Sequence, residues 1–165
     1  GGLEMQMAPT DVNQLLETVF HAYESIAAKQ GINLILDTQT EGVVVRLDEG
    51  RMSQVLKNLL DNALRYTPEG GRITLGSRVA DKVEIFVSDT GSGIEAEDLP
   101  YIFDRFYQGD KARTGGKGKM GLGLSICKAL TAAQGCELRA ESAGQNQGTR
   151  MVITLPDSTD SAEPA

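Results

Sequence analysis

The sequence predicts an α/β fold: a two-layer sandwich in which three helices cover one face of a mixed, mainly antiparallel sheet. Three segments carry apolar residues at helical spacing, and pairs of strand-like segments with alternating apolar residues lie between them. Successive strands joined by short turns pair antiparallel, and an amphipathic helix buries its apolar face on a sheet. The order of helix, two strands, helix, two strands, loop, helix and two strands therefore favours one sheet with all helices on the same side.

The composition fits a single globular domain of 165 residues, with 40% hydrophobic and 24% charged residues. A net charge of −7 argues against nucleic acid as a partner, because a phosphate backbone attracts a basic surface. No apolar run approaches the ~20 residues that cross a bilayer, so we expect no direct membrane insertion by this domain. Cys127 and Cys136 have neither a disulfide framework nor metal-ligand spacing.

These features predict a reduced, cytoplasmic domain that is monomeric in isolation, and they leave open whether a full-length protein is anchored in the inner membrane. Residues 1–7 are short and rich in methionine, and Gly1 in place of an initiating methionine suggests an excised part of a longer chain, with a linker remnant in front. Residues 158–165 hold serine, aspartate, glutamate and proline, a composition typical of disorder. We expect the folded domain to span residues 8–157.

An amphipathic helix opens the first half of the chain. Thr10 or Asp11 caps this helix and Gly31 stops it. Residues 32–38 and 43–48 have the composition of strands on either side of a short Thr-Glu-Gly turn, which predicts a hairpin. The apolar face of the helix consists of Val12, Leu15, Leu16, Val19, Phe20, Tyr23, Ile26 and Ala27.

The second half alternates helices and strands in the same way. Pro68 ends the second helix, because proline disfavours a helical conformation in the residue before it. Residues 107–119 are polar, rich in glycine and without periodicity, so we expect a mobile loop. The predicted elements are a helix at 49–66, strands at 72–80 and 82–89, a short helical piece at 96–106, a helix at 121–134, and strands at 136–142 and 149–155.

Gly121 and Gly123 open the third helix after a run of glycines and lysines. Glycine allows a ligand to approach the backbone closely, because no Cβ stands in the way. The free N–H groups of a helix start and the positive end of the helix dipole both favour a phosphate. The alternative is that these glycines form only a turn.

Asn58 and Asn62 stand one helical turn apart on the second helix, and Arg65 and Tyr66 extend the same strip by another turn. The strip borders the apolar stripe of the helix, so it can face a cleft beside the core. An amide oxygen is a hard ligand that suits Mg²⁺. The alternative is that both asparagines are solvated helix residues.

Asp89 ends an apolar strand and is followed by two glycines, Gly91 and Gly93, and by Ile94. A carboxylate in an apolar pocket can accept a hydrogen bond from an exocyclic amine such as that of adenine, and glycines allow the base to lie against the backbone. The alternative is that Asp89 caps a turn, which is the commonest use of Asp-x-Gly.

Two aromatic residues and three basic or titratable ones complete the set. Phe103 and Phe106 are spaced to anchor a short helix to the core and to fix the start of the loop. Lys117 and Lys119 within the loop either meet phosphates or form a solvated basic surface. His21, the only histidine, has no catalytic arrangement around it and is interpreted as a structural or surface residue.

Four stretches in this order resemble the sequence boxes of the catalytic domain of sensor histidine kinases. Residues 58–68 resemble the asparagine box, and residues 89–94 the first glycine box. Residues 102–107 resemble the phenylalanine box, and residues 118–124 the second glycine box. The resemblance spans residues 8–156 and implies the Bergerat ATP-binding fold, which agrees with the two-layer sandwich.

The resemblance implies ATP and Mg²⁺ as cofactors. Asn62 corresponds to the Mg²⁺ ligand with the catalytic Asn58 beside it, and Asp89 to the residue that holds the adenine amine. Arg105 or Arg113 would steady the transferring phosphoryl group, and the sequence does not decide between them. The other nucleotide-contacting residues that the resemblance implies are Arg65, Tyr66, Gly91, Gly93, Ile94, Tyr107, Lys117, Lys119, Gly121, Leu122, Gly123 and Leu124.

The resemblance also implies a reaction: donation of the γ-phosphoryl group of ATP to a histidine on a separate dimerisation domain of the same full-length protein, with a response regulator downstream. The family's phospho-accepting histidine precedes an acidic residue, whereas His21 precedes Ala22, so we expect the acceptor outside this chain. Asn58 stands where related ATPases that activate water have a glutamate, which suits a kinase. Two alternatives are a serine kinase of the anti-sigma type and a non-catalytic nucleotide-sensing module.

Overall fold

The computed structural model describes residues 4–94, 97–104, 120–142 and 147–157. Within these ranges the helices are α1 (Val12–Lys29), α2 (Glu49–Tyr66) and α3 (Met120–Ala133), with a 3-10 turn at Leu99–Tyr101. The strands are β1 (Ala8–Asp11), β2 (Asn33–Thr38), β3 (Val44–Leu47), β4 (Arg72–Val79), β5 (Val83–Asp89), β6 (Glu137–Glu141) and β7 (Thr149–Thr154).

Five strands form the main sheet, in the order β2-β4-β5-β7-β6. β2 and β4 run parallel, whereas every other neighbouring pair in this sheet is antiparallel. α1 packs on β2 and β4, α2 packs on β5, and α3 packs on β6. The predicted sandwich, with its three helices on one face of a mixed, mainly antiparallel sheet, is confirmed.

The predicted hairpin between the strands at 32–38 and 43–48 is wrong. A turn does form there, since the N–H of Val43 donates to the carbonyl oxygen of Thr40 at 3.0 Å. However, β2 joins the main sheet, while β3 pairs antiparallel with β1 in a separate two-stranded sheet. β1 ends at Thr10 and Asp11, the two residues that the sequence offers as a helix cap, and Asp11 also caps α1. Alternating burial identifies a strand, but it does not identify which strand lies beside it.

The short helical piece expected at 96–106 is reduced, within the described residues, to the 3-10 turn at Leu99–Tyr101. The expected mobile loop at 107–119 and the expected disordered tail at 158–165 lie outside the described residues.

α2 lies between α1 and α3 and is fixed at its start. Seven of its residues are buried, which holds the helix against the core. The side chain of Asp48 caps the helix by accepting the N–H of Arg51 at 3.0 Å, and it also accepts the N–H of Gln6 at 2.8 Å. Hydrogen bonds from these N–H groups lower the pKa of Asp48, with Gln6 the larger cause. Side chains on α2 are therefore presented from a rigid support.

The sheet face opposite the helices carries a cluster of charged residues around one aromatic ring. Arg78 and Arg150 lie over the ring of Phe86, with Cζ atoms 5.8 and 4.7 Å from its centroid. Glu84 accepts hydrogen bonds from Nε of Arg78 at 2.7 Å and from Nη2 of Arg139 at 3.4 Å. The arginine stems and guanidinium groups shield the ring, and Phe86 as a whole is only 8% exposed.

Candidate functional site

The polar strip expected on α2 exists in the structure. Asn58, Asn62 and Tyr66 are half-buried at intervals of four residues, while Arg65 is exposed. Burial raises the pKa of Cys127 on α3 to about 11, and a hydrogen bond from the Asn58 side chain opposes that rise. Burial also raises the pKa of Tyr66, an effect that the Arg65 guanidinium opposes. The Asn58 side chain therefore faces the middle of α3, with Cys127 as a neutral thiol.

Asp89 ends β5 with its carboxylate turned toward the loop that follows. Oδ1 accepts the N–H of Gly91 at 2.8 Å, and the N–H of Thr149 also donates to this carboxylate. Burial raises the pKa of Asp89, and the two N–H groups oppose that rise. Two N–H donors do not exhaust a carboxylate, which has about four acceptor positions. Asp89 can therefore accept a further hydrogen bond from a ligand.

The end of α2 touches this loop directly. A Cβ atom on Gly91 would lie 2.3 Å from the carbonyl oxygen of Tyr66 and 3.0 Å from Oδ1 of Asp89, so only glycine fits. The N–H of Ser92 donates to the same Tyr66 oxygen at 3.3 Å. The fold thus brings Asp89 and the last turn of α2 together, although the two are separated in sequence.

Thr149 is a site residue that sequence reasoning missed. It begins β7 directly opposite Asp89 in the antiparallel pair, and its N–H bonds the Asp89 carboxylate. The sequence places Thr149 at the start of a strand, but it does not reveal that this strand lies beside β5. No sequence signal could therefore have joined Thr149 to Asp89.

The glycine pair lies at the start of α3, which begins one residue before Gly121. Apart from its chain neighbours and the backbone of its own helix, no described atom lies within 4 Å of the position where a Cβ on Gly123 would stand. Gly121 and Leu122 precede Gly123 in the first turn, and Leu124 is 2% exposed in the hydrophobic core. The helix start thus combines a buried anchor with a glycine pair.

The remaining residues of the first glycine box follow Asp89. Gly93 has a φ of +75°, a conformation that favours glycine, and Ile94 packs against the hydrophobic core. Nearby, a cavity of about 420 Å³ borders Asp89 on the side of β6 and β7, and none of its described lining residues comes from α2.

Five of the candidate site residues lie outside the described residues. Phe103 is half-buried, with Nζ of Lys128 lying 5.2 Å from its ring centroid, whereas Phe106 falls outside the described ranges. His21 is exposed and its Nδ1 lies 3.0 Å from Oε1 of Glu24, as expected for a surface histidine. The five candidates outside the described residues are Arg105, Tyr107, Arg113, Lys117 and Lys119.

The fold and the site define an α/β sandwich that gathers its candidate ligand-binding groups at the end of β5 and along α2. Residues 47–159 match the family described as histidine kinase-, DNA gyrase B-, and HSP90-like ATPase. Because this match covers more than half of the chain, the protein belongs to that ATPase family, and the resemblance drawn from the four sequence boxes is confirmed.

Curated relatives are sensor kinases much longer than this chain. Sensor histidine kinase WalK of Bacillus subtilis (strain 168) is 39% identical over 131 residues, which cover 78% of this chain and 21% of WalK. Sensor protein SrrB of Staphylococcus aureus (strain NCTC 8325 / PS 47) is 37% identical over 156 residues, which cover 94% of this chain and 26% of SrrB. The chain therefore spans about a fifth to a quarter of the length of these relatives.

Solved structures of histidine kinases share the fold. Full-length ShkA in complex with AMPPNP gives a TM-score of 0.81 at 29% identity, over 96% of this chain and 32% of ShkA. The nucleotide-free catalytic domain of ThkA gives 0.79 at 29% identity, over 93% of this chain and 97% of that domain. ThkA in complex with the response regulator protein TrrA gives 0.75 at 26% identity, over 93% of this chain and 42% of ThkA. No helix in the described part of this chain is long and apolar enough to cross a membrane.

Proposed function

We propose that this chain binds Mg-ATP and acts as the catalytic domain of a histidine kinase in a two-component system. It donates the γ-phosphoryl group to a histidine on a separate dimerisation domain of the same full-length protein. The phosphohistidine then passes its phosphoryl group to a response regulator. The junction of Asp89 with the last turn of α2 supports this proposal, because a carboxylate that can accept a further hydrogen bond lies beside the helix that carries Asn58 and Asn62. The names of the relatives favour histidine over serine as the acceptor.

Asp89 is assigned to the nucleotide base. Its carboxylate accepts a hydrogen bond from the exocyclic amine of adenine, while Gly91 and Gly93 leave room for the base to approach the backbone. A charged acceptor in a partly buried site forms a stronger hydrogen bond than it would in water. The burial that raises the pKa of Asp89 therefore also strengthens its contact with the base.

Asn62 is assigned to Mg²⁺, with Asn58 beside it. Amide oxygens fit a hard cation that takes most of its charge balance from substrate phosphates. Among the described residues, no group of three or more His, Cys, Asp or Glu side chains is placed to hold a metal ion, so the phosphates would have to supply that charge. When bound, Mg²⁺ neutralises charge on the phosphates during transfer.

The N–H groups at Gly121 and Gly123 are assigned to the phosphates, because both residues lie in the first turn of α3 and the free N–H groups of a helix start favour a phosphate. During transfer the bond from the γ-phosphorus to the β–γ bridging oxygen breaks, ADP leaves, and a bond forms to the imidazole nitrogen of the acceptor. The chain contributes positioning and charge neutralisation. Asn58 offers no general base to water, which favours the imidazole as the nucleophile. Arg105 or Arg113 steadies the transferring group in this proposal.

The test uses γ-labelled ATP with the chain alone and then with a separate histidine-bearing dimerisation domain. We expect the chain alone to bind Mg-ATP without labelling itself, because its one histidine, His21, lacks an acidic neighbour in sequence. Acid-labile label should appear on the added domain, and weakly, because the tether that raises effective concentration is missing. Asn62→Ala should abolish this transfer, whereas Asn33→Ala, at the exposed start of β2, is the matched control.

Three outcomes would contradict the proposal. Acid-stable label on a partner would indicate a serine kinase, and binding without any transfer would indicate a nucleotide-sensing module. Label on the isolated chain that disappears in His21→Ala would show that this chain carries its own acceptor.

A further inference from the structure

The loop after Asp89 is held by two residues of the connection between β6 and β7, one directly after β6 and one directly before β7. The N–H of Ile94 donates to Oγ of Ser142 at 3.0 Å, and the hydroxyl of Ser142 donates to the carbonyl oxygen of Gly148 at 2.7 Å. The N–H of Gly148 in turn donates to the carbonyl oxygen of Gly91 at 3.2 Å. We call Ser142 and Gly148 the brace, because together they connect both ends of the 91–94 loop to the β6–β7 edge.

The brace lies against the backbone of Asp89 itself. Gly148 has a φ of +79°, and a Cβ added to it would lie 2.3 Å from the carbonyl oxygen of Asp89. Both the conformation and the space therefore require glycine at this position. Since Thr149 follows Gly148 and its N–H bonds the Asp89 carboxylate, the brace and the carboxylate are fixed by the same short stretch of chain.

The hydroxyl of Ser142 makes hydrogen bonds that lie outside the backbone ladder of the sheet. The N–H of Ile94 takes a side-chain acceptor, whereas the N–H groups of Thr90 and Ser92 take backbone acceptors, Arg72 and Tyr66. The backbone N–H at the far end of the described loop is thus bonded by a hydroxyl that accepts from Ile94 and donates to Gly148. A serine or threonine can serve in both ways, but alanine can serve in neither.

We propose that Ser142 and Gly148 are positioning residues for recognition of the nucleotide base. By fixing Gly91 and Ile94 relative to Asp89, they set the depth at which the base edge meets the carboxylate. This inference rests on the proposed nucleotide site. It concerns the base alone, because the phosphates are assigned to the start of α3, on another element.

The experiment compares Mg-ATP and magnesium-bound inorganic triphosphate by calorimetry on wild type, Ser142→Ala and Ser142→Thr. Loss of one hydrogen bond corresponds to roughly a three- to tenfold change in Kd. We therefore expect Ser142→Ala to raise the Kd of ATP by about this factor, while the Kd of triphosphate changes less than about twofold. Ser142→Thr should restore most of the ATP affinity, because it keeps the hydroxyl.

A matched control separates positioning from general stability. Ser77→Ala removes a buried serine hydroxyl whose Oγ lies 2.7 Å from Oγ1 of Thr40. Ser77 lies near the end of β4 that is far from Asp89. Ser77→Ala should lower the Tm without changing the ratio of the two affinities. Equal weakening of ATP and triphosphate binding in Ser142→Ala, or failure of Ser142→Thr to restore ATP binding, would contradict the proposed role of the brace. If wild type shows no preference for ATP over triphosphate, the base site of the proposed function fails instead.

Discussion

Asp89 is a carboxylate in a position that disfavours its charge. Burial raises its pKa, although the N–H groups of Gly91 and Thr149 counteract part of the rise. A group whose pKa is raised by folding contributes stability below its unfolded pKa and loses that contribution as pH rises through the folded pKa. In its ionised form Asp89 therefore lowers the stability of the domain, and it is this form that would serve as the proposed charged acceptor for the base.

Asp89→Asn should separate binding from stability. We expect ATP binding to weaken by about 1.5–3 kcal/mol, because a charged acceptor is lost, with little change for inorganic triphosphate. The free energy of unfolding at pH 7 should change less than the ATP affinity, because asparagine removes the buried charge and keeps an oxygen for the N–H of Gly91, although it has one acceptor oxygen fewer for the N–H of Thr149. Calorimetry with both ligands and urea unfolding measure the two effects.

The pH dependence gives the control for this variant. ATP affinity of wild type should weaken as pH falls through the raised pKa of Asp89, and Asp89→Asn should lack this step. Equal weakening of ATP and triphosphate in Asp89→Asn would remove Asp89 from the base site.

The two long helices both begin with an aspartate N-cap, but the two caps lie in different surroundings. Asp11 caps α1 by accepting the N–H of Gln14 at 3.0 Å, and Asp48 caps α2 by accepting that of Arg51 at 3.0 Å. Only Asp48 also accepts an N–H from the chain before β1, that of Gln6 at 2.8 Å, and it is 6% exposed. Asp48 therefore joins the start of α2 to the incoming chain.

The two caps should differ in their contribution to stability. We expect Asp11→Ala to lower the free energy of unfolding by about 1 kcal/mol and Asp48→Ala by about 2 kcal/mol, because the latter also leaves the Gln6 N–H unbonded. A lowered pKa contributes stability above the unfolded value, and this contribution disappears as pH falls through the folded pKa of Asp48. Urea unfolding compares the variants, and equal losses at pH 7 would show that the Gln6 contact adds nothing.

Elements that depend on local pattern could be predicted from the sequence, and pairings between distant segments could not. α1, α2 and the β4–β5 hairpin follow from periodicity, caps and a short turn, all of which lie within a few residues of one another. The β1–β3 pair and the parallel β2–β4 pair join segments that are far apart along the chain.

The same division applies to the candidate site. Asn62 and Asp89 stand out by residue type and spacing within their own elements. Thr149 and Ser142 acquire their contacts only because β7 lies beside β5 and β6 lies beside β7. Their relation to the loop after Asp89 is a property of the folded sheet and has no counterpart in local sequence.

At the scale of the whole molecule, Glu84 joins three strands on the helix-free face. Its carboxylate on β5 accepts from Arg78 on β4 and from Arg139 on β6, and the hydrogen bond from Arg78 is the largest cause of its lowered pKa. A lowered pKa contributes stability above the unfolded value that is lost as pH falls through the folded pKa. The face without helices is thus held in part by charge.

Glu84→Gln should therefore lower the free energy of unfolding at neutral pH more than it does in acid. We expect a loss of about 1–2 kcal/mol at pH 7, less than for a fully buried pair because both arginines are partly exposed. Glu137→Gln, at an exposed position on β6, is the control and should stay within about 0.5 kcal/mol of wild type. Urea unfolding at both pH values measures this, and equal losses at the two pH values would contradict the assignment.

The parallel pairing of β2 with β4 means that no turn sets the register between them. In a hairpin the connecting turn fixes the register, whereas a strand joined through a distant connection can slide by one residue, which moves its side chains to the opposite face. Here Leu34 and Leu36 point into the core, and the N–H of Gln39 donates to the carbonyl oxygen of Ser77 at 3.1 Å just beyond β2. A slip of one residue would move both leucines off the core side and break that bond, so side-chain burial and polar contacts such as this one, instead of a connecting turn, keep this edge of the sheet aligned.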